Sequence, residues 1–174
     1  MILGLDISTS TIGFTILSRE GKFQTASYIE LSKEKNIFRK AEILEKRLKF
    51  IKDQYHITKI FVEDRLQAFT KGLSSAWTLN LLTYFQGVCS IILFQIFKLE
   101  PEFINPNTAR KIVLGKAREK GVDTKKMVLD WAKKEFKSFK WEYAKTGSDK
   151  KYSFDIADSM VIASAGYKLL NEEK

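Results

Sequence analysis

The sequence holds a single cysteine, a single histidine and only two prolines in 174 residues. One cysteine, Cys89, excludes a disulfide within the chain and a zinc centre built on thiolates. Set in an apolar run, it reads as a buried thiol, since free cysteine is among the most buried residue types. One histidine, His56, falls at the end of a predicted helix and reads as a polar terminus residue rather than a catalytic one. Two prolines and no Gly/Ser-rich linker leave no visible domain boundary, so a single domain over residues 1–174 is expected. The opening Met1-Ile2-Leu3-Gly4-Leu5-Asp6 has no basic n-region and no cleavable apolar stretch, so no signal peptide is expected. The longest apolar region, Trp77 to Phe97, is interrupted by Thr78, Asn80, Thr83, Gln86, Ser90 and Gln95, which reads as too polar for a comfortable membrane span. The expectation is an intracellular protein of cytoplasm or nucleoid, a viral or phage source being compatible with it, and with no membrane partner.

Acidic residues are also in short supply. There are 21 against 30 Lys and Arg, a net charge of +9, which points to a polyanionic partner, nucleic acid before an acidic membrane surface. What is present is ordinary for a globular chain: 44% apolar and 29% charged residues.

Hydrophobic patterning gives the elements. Ile2–Ile7, Thr11–Leu17 and Lys22–Leu31 read as three consecutive strands, with the hydroxyl run Ser8-Thr9-Ser10-Thr11 as the first turn. Ile37–Tyr55 has apolar residues at spacings of three and four, an amphipathic helix. Lys59–Glu63 is a short β-branched run of the buried parallel type. Leu73–Phe97 reads as one long helix, apolar on nearly every face, with Ser74 or Ser75 as N-cap candidates. Such a helix needs cover on two sides, from its own sheet and from another helix or a partner subunit. Glu102–Asn105 is a last short strand, and Pro106 opens a helix capped by Asn105. A flexible basic loop is expected over Lys116–Asp123, a helix over Thr124–Phe136, a loop over Phe139–Tyr152 and a final helix over Phe154–Leu170 with Ser153 as cap. Three hairpinned strands followed by alternating helix and strand predict an α/β fold, a mixed five-stranded sheet with helices on both faces.

Four acids stand out by position. Asp6 interrupts an apolar first strand and Glu63 ends Ile60-Phe61-Val62; a charge in such a place is costly unless paired or bound to a metal. Asp155 and Asp158 are three apart, on one face of a helix whose neighbours Ile156, Ala157, Met160 and Val161 turn that face inward. Singly each has an ordinary explanation: a helix-dipole acid at Asp155, a strand-end turn former at Asp6, an ion pair among Glu63, Asp64 and Arg65. Together they make a set of hard oxygen ligands suited to Mg²⁺ or Mn²⁺, not zinc. Two such ions about 3.5–4 Å apart can activate a water and stabilise the leaving oxygen of a phosphodiester.

The ordered set of motifs resembles the RuvC family of Holliday junction resolvases over nearly the whole chain. Ile2–Asp6 is similar to the family's first acidic strand, Ile60–Glu63 to its second, Thr70-Lys71-Gly72-Leu73-Ser74-Ser75-Ala76 with Gly87 to its long helix, Asn105–Gly115 to its Pro-led helix and following glycine, Lys125-Lys126-Met127-Val128 to its basic helix start, and Asp155-Ile156-Ala157-Asp158-Ser159 to its terminal Asp-x-Ala-Asp motif. The sequence departs from the family where Ile7-Ser8 follows Asp6 in place of Pro-Gly, and where the spacing from Glu63 to Lys71 is longer. The resemblance implies an RNase H-like fold. It implies a homodimer that cuts four-way DNA junctions by paired symmetric nicks, with two Mg²⁺ per site (Mn²⁺ substituting), no small-molecule cofactor, and ligatable 5′-phosphate ends. It implies that Asp6, Glu63, Asp155 and Asp158 are both catalytic and metal-binding, and that Leu66 or Phe69, with Phe69 the choice, is an apolar wedge at the junction centre.

Basic residues supply the DNA contacts: Lys71, then Lys111, Lys116, Arg118, Lys125 and Lys126, with Lys120 among them, against the plain alternative of a solvated face. A second group, Lys133, Lys134, Lys137, Lys140 and Lys145, interleaves with Phe136, Phe139, Trp141 and Tyr143, aromatics that suit a core or stacking on unpaired bases, with core the reading for Phe136. Rival readings keep the fold and change the role: another branched DNA, an RNA–DNA hybrid, or a non-catalytic nucleic-acid-binding domain. Gly4-Leu5-Asp6-Ile7-Ser8-Thr9-Ser10 is also similar to the first phosphate loop of sugar kinases and actin-like ATPases, but no later Asp-x-Gly element accompanies it.

Overall fold

The computed structural model describes residues 1–64 and 76–172. Strands β1 (Ile2–Ile7), β2 (Thr11–Leu17) and β3 (Phe23–Glu30) form the expected meander, and β4 (Lys59–Glu63) and β5 (Glu102–Ile104) complete a five-stranded sheet in the order β3-β2-β1-β4-β5. β1 pairs antiparallel with β2 and parallel with β4, and β5 is parallel to β4. The helices are α1 (Ile37–Gln54), α2 (Ala76–Phe97), α3 (Pro106–Leu114), α4 (Thr124–Glu135) and α5 (Tyr152–Glu172). Caps set several ends, that of Asn105 as expected. Asn36 Oδ1 accepts from Phe38 N and Arg39 N, Asn105 Oδ1 accepts from Asn107 N and Thr108 N ahead of Pro106, and Gly115 closes α3 in the left-handed conformation.

The period-two alternation of a strand sorts the core into two layers. Leu3, Leu5 and Ile7 of β1 and Ile60 and Val62 of β4 pack with Leu44, Leu48 and Ile51 of α1 and Phe85, Cys89, Leu93 and Ile96 of α2. Ile2 and Phe61 face the other way, with Ile156, Met160, Val161 and Ala163 of α5, Ala109 of α3 and Val128, Leu129 and Ala132 of α4. Helices therefore cover both faces, and Cys89 is fully buried as expected. By the same alternation Asp6 and Glu63, one residue on from Leu5 and Val62, fall on the α5 face.

Glycines let α5 lie close on that face. A Cβ built on Gly4 would come 2.6 Å from atoms of Ala163, and one on Gly13 would come 2.0 Å from the carbonyl oxygen of Asp155. A buried hydroxyl pair, Thr15 Oγ1 to Ser159 Oγ at 2.8 Å, fixes the helix along β2. Gly13→Ala is accordingly expected to destabilise the fold by at least the ~1–3 kcal/mol typical of overpacking, since the atom met is backbone and cannot swing aside. Urea unfolding should show a lower midpoint at unchanged slope.

Three expectations need correction. Ser153 does not cap α5 but lies inside its first turn, buried, because the turn is set earlier by Ser153 N donating to the Lys150 carbonyl. The loop before α5 contains a small hairpin, bridged between Tyr143 and Asp149 across the turn at Gly147. The segment Asn80–Phe97 of α2, read as too polar to span a membrane, has a mean hydropathy of 1.5 and is long and apolar enough on length and composition alone. The N-cap candidates Ser74 and Ser75 lie outside the described residues.

Among the described residues, α2 is covered on one side only. Leu81, Tyr84, Ile91 and Phe94 are exposed, Ile91 to 60%, and form a stripe with spacings of three and seven along one face. Phe38, Ile43 and Phe50 of the neighbouring α1 are exposed as well.

Candidate active site

The parallel register that pairs Leu5 with Val62 puts Asp6 and Glu63 side by side where β1 and β4 end. In open α/β sheets the crevice beyond the carboxyl ends of such strands is where ligands bind. The Glu63 carbonyl accepts from Gln86 Nε2 at 2.9 Å, a buried tie from the end of β4 to α2. α5 begins above this edge, and its Asp155 and Asp158 open onto the same crevice. The result is a cavity of about 580 Å³ lined by Asp6, Ser8, Glu63, Asp155 and Asp158 together with Arg110, Arg118 and Lys125. Ser8 is held in the β1–β2 turn, donating to the Thr11 carbonyl at 2.6 Å and accepting from Thr11 N.

The electrostatics of the two helical acids are strained. Loss of solvent pushes the Asp155 carboxyl up to about 6, helped by the charge of Asp158 and opposed by Lys125 and Lys151. Asp158 sits deeper: burial raises it to about 6 against the pull of Arg110 and Lys125. Protein surrounds Asp158 on most sides while its side chain still opens onto the cavity. Both protons belong to the pair rather than to either residue.

The donor set fits hard divalent cations in its chemistry, four carboxylates without a nitrogen or sulfur ligand. In the arrangement described, no three Asp, Glu, His or Cys side chains among the described residues close tightly enough to hold one ion. The expected cage is thus an open ring of like-charged groups spread around a cavity, and ligation requires their side chains to turn inward.

No protein-family model matches the sequence, and no curated protein matches it. Solved structures do. Thermus thermophilus RuvC superposes with a TM-score of 0.68 over 98% of this chain and 96% of its own, at 12% identity. The same organism's RuvC in complex with Holliday junction substrate gives 0.69 over 98% and 94%, at 9% identity. The fold is that of RuvC. At such identities the likeness is one of architecture, the RNase H-like mixed sheet with helices on both faces that the sequence pattern predicts.

Within this RuvC fold the sequence-predicted basic residues separate. Arg118 and Lys125 line the carboxylate cavity. Lys111, Lys116 and Lys126 are exposed and do not line it, and Lys116 is paired with Glu119 at 2.6 Å. Leu66, Phe69 and Lys71 lie outside the described residues. The sequence points to Lys111, yet it is its neighbour Arg110, half-buried and bonded to Asn107 Oδ1 at 3.3 Å, that reaches the cavity. The signal was present: Pro106 and Ala109 mark the buried side of α3, and Arg110 is one step of 100° from Ala109 where Lys111 is two. His56 is exposed beyond α1, and its carbonyl accepts from the Met1 amine at 2.8 Å. Phe136 is core as expected, Phe139 and Trp141 are partly buried against that core, and Tyr143 is half exposed.

Proposed function

We propose that this chain is a divalent-metal-dependent endonuclease that resolves four-way DNA junctions, acting as a homodimer that places paired symmetric nicks. The observation that carries the reading is the single cavity in which four carboxylates meet three cationic side chains, Arg110, Arg118 and Lys125. Anionic and cationic groups in one crevice suit a phosphodiester that must be held by its charge while a metal-ligating set acts on its phosphorus.

Asp6, Glu63, Asp155 and Asp158 would hold Mg²⁺, with Mn²⁺ as a substitute. Bound there, a pair of such ions supplies Lewis-acid stabilisation of the charge that develops on the phosphate and lowers the pKa of the attacking water. The chain's own groups do the rest. Arg110 and Arg118 present planar donor forks to non-bridging phosphate oxygens, and Lys125 adds a point charge. Asp123 caps α4 by accepting from Lys125 N, which fixes the backbone that carries this lysine. Water attacks phosphorus, the bond to the 3′ oxygen breaks, and a 5′-phosphate and a 3′-hydroxyl remain. The exposed basic residues Lys111, Lys116 and Lys126, and Lys71 and Phe69 in the segment that follows β4, would track the junction arms and their centre.

The dimer contact would be the apolar stripe of α2, whose exposed Leu81, Tyr84, Ile91 and Phe94 form a continuous strip and not isolated surface residues. Ile91→Asp is expected to yield a monomeric mass by light scattering at micromolar concentration, where the unaltered chain gives a dimer, and to replace paired nicks by single ones. A monomeric mass for the unaltered chain would count against the dimer.

The function is tested by incubating the protein with a mobile four-way junction, a linear duplex and an RNA–DNA hybrid, each with Mg²⁺ and with EDTA. Symmetric nicks confined to the junction and absent in EDTA support the proposal. Equal cutting of the linear duplex removes junction selectivity, and no cutting of any substrate removes the nuclease.

A further inference from the structure

We infer that Gln86 of α2 is a positioning residue for metal binding: its side-chain amide holds the end of β4 and so sets where the Glu63 carboxylate stands in the catalytic cavity. This rests on the nuclease reading above. Four backbone positions carry the proposed ligands, and three are fixed by regular structure. Asp6 lies inside β1, whose pairing with β2 runs on to the Ile7–Ile12 pair. Asp155 and Asp158 belong to the first turns of α5, a helix tied to β2 by the Thr15–Ser159 hydroxyl pair. Glu63 is differently placed. It is the last residue of β4, and the β1–β4 register stops at the Leu5–Val62 pair, one residue short of it. On its other flank stands β5, an edge strand of three residues, which pairs Ile104 with Glu63 and accepts from Asp64 N through the Ile104 carbonyl at 2.8 Å.

Gln86 reinforces that end from the helix layer. Its Nε2 donates to the Glu63 carbonyl at 2.9 Å. The residue is buried, on a helix face that also carries the buried Phe85, Cys89 and Leu93. An amide in such surroundings is costly unless hydrogen-bonded. Here the bond goes to the backbone of a proposed ligand. Ligation requires the carboxylates to turn inward, and a side chain does so reproducibly only on a backbone that stays still; sites of this kind tolerate displacements of about 0.5 Å. Removing a group that holds a metal ligand in place typically changes metal affinity by about 10–100-fold. Anchoring α2 to its neighbours does not by itself call for a bond at this place. Lys52 Nζ of α1 fastens the same helix at its far end, on the Ile96 carbonyl at 2.6 Å. Of these two ties, only that of Gln86 acts on a residue that lines the catalytic cavity.

The test reads metal binding without DNA, as the loss of the free Mn²⁺ paramagnetic resonance signal on titration with protein. Gln86→Met keeps the length of the side chain and removes the donor, and should raise the Mn²⁺ concentration for half-saturation about tenfold. Gln86→His, which presents an N–H at similar reach, should restore most of the affinity. Lys52→Met removes the other tie of α2 and should leave Mn²⁺ binding as it is, even where it lowers the urea midpoint. In cleavage, Gln86→Met should need about tenfold more Mg²⁺ for half its maximal rate, and should reach the rate of the unaltered chain at saturating Mg²⁺ with junction affinity in EDTA unchanged. If Gln86→Met does not fold, Gln86→Asn, whose amide is too short to reach the carbonyl, gives the same reading. An unaltered Mn²⁺ half-saturation in Gln86→Met, or an equal rise in Lys52→Met or Gln86→His, overturns the positioning role and leaves the nuclease standing. Weakened Mn²⁺ binding confined to Gln86→Met, with no cleavage of any substrate by the unaltered chain, sustains the positioning role and overturns the nuclease. No Mn²⁺ binding by the unaltered chain overturns both.

Discussion

Asp6→Asn should lower the rate of junction cleavage by about a thousandfold or more, ~4 kcal/mol of transition-state stabilisation, while leaving junction affinity in EDTA unchanged. The substitution is nearly isosteric, so β1 keeps its place between β2 and β4, and Leu3, Leu5 and Ile7 keep their packing. What is lost is one negative oxygen at the end of β1, facing the cavity shared with Glu63, Asp155 and Asp158. An amide oxygen is a neutral and weaker ligand for a hard cation, whereas the phosphate contacts proposed for Arg110, Arg118 and Lys125 do not depend on it. The two measurements therefore separate. Gel-shift affinity reads the cationic groups, and single-turnover cleavage reads the carboxylates. Equal loss in both would mean that Asp6 shapes the cavity rather than ligating in it. Glu63→Gln should behave in the same way, and the Gln86 tie should persist because it engages the Glu63 backbone carbonyl.

Why these acids were legible in the sequence, and others of the site were not, follows from the kind of signal each left. Asp6 and Glu63 interrupt apolar strands, and the period of two that hides Leu5 and Val62 under α1 and α2 commits the next residue to the opposite face. The three-residue spacing of Asp155 and Asp158 fixed a common helix face in the same way. The sequence pattern reaches a mixed sheet but not the strand order, which follows from α1 acting as a crossover that returns the chain to pair β4 in parallel with β1. Arg110 was less visible because its neighbour Lys111 carries the same charge, and charge alone does not say which member of a helical pair turns inward. A serine ahead of an apolar helix is the usual sign of a cap, while here Ser153 N and Phe154 N donate to the carbonyls of Lys150 and Lys151 and the turn has already started. The open face of α2 has no signature of its own: composition marks the helix as apolar all round, and only the packing of α1 and the sheet against one side distinguishes the covered face from the bare one. The spread of the carboxylates around an open cavity is likewise a matter of side-chain geometry, which spacing along the chain does not encode.

Asp158→Asn should abolish cleavage and at the same time stabilise the metal-free protein at neutral pH. The Asp158 carboxyl rises from an ordinary 3.8 to about 6 as burial disfavours its charge, and Asp155 rises to about 6 for the same reason with the charge of Asp158 added. In the folded state the pair holds protons that the unfolded chain has released, so between about pH 4 and 6 the native state binds more protons. Stability then falls as pH increases through that window, and the full cost of the two charges is present above pH 6. For Asp158 the rise from 3.8 to about 6 corresponds to at most ~3 kcal/mol. Solvent in the open cavity reduces this to about 1–2 kcal/mol. Removing the charge should return that amount, visible as a higher melting temperature at pH 7.5 and a flatter dependence of stability on pH. Glu20, Glu30 and Glu142 work in the opposite sense, their carboxyls held below the ordinary range by hydrogen bonds from Ser18, Ser32 and Lys150, so the stability they give is lost only at lower pH. Activity should follow the same carboxylates with the reverse sign. Cleavage should decline below about pH 6 as protons occupy the oxygens proposed to ligate the metal. Raising Mg²⁺ tenfold should move that acid limb down by up to about one pH unit, because metal and proton compete for the same atoms. An acid limb that ignores the Mg²⁺ concentration would assign the titration to another group, and an Asp158→Asn protein no more stable than its parent at pH 7.5 would mean that the charge is already compensated in the fold.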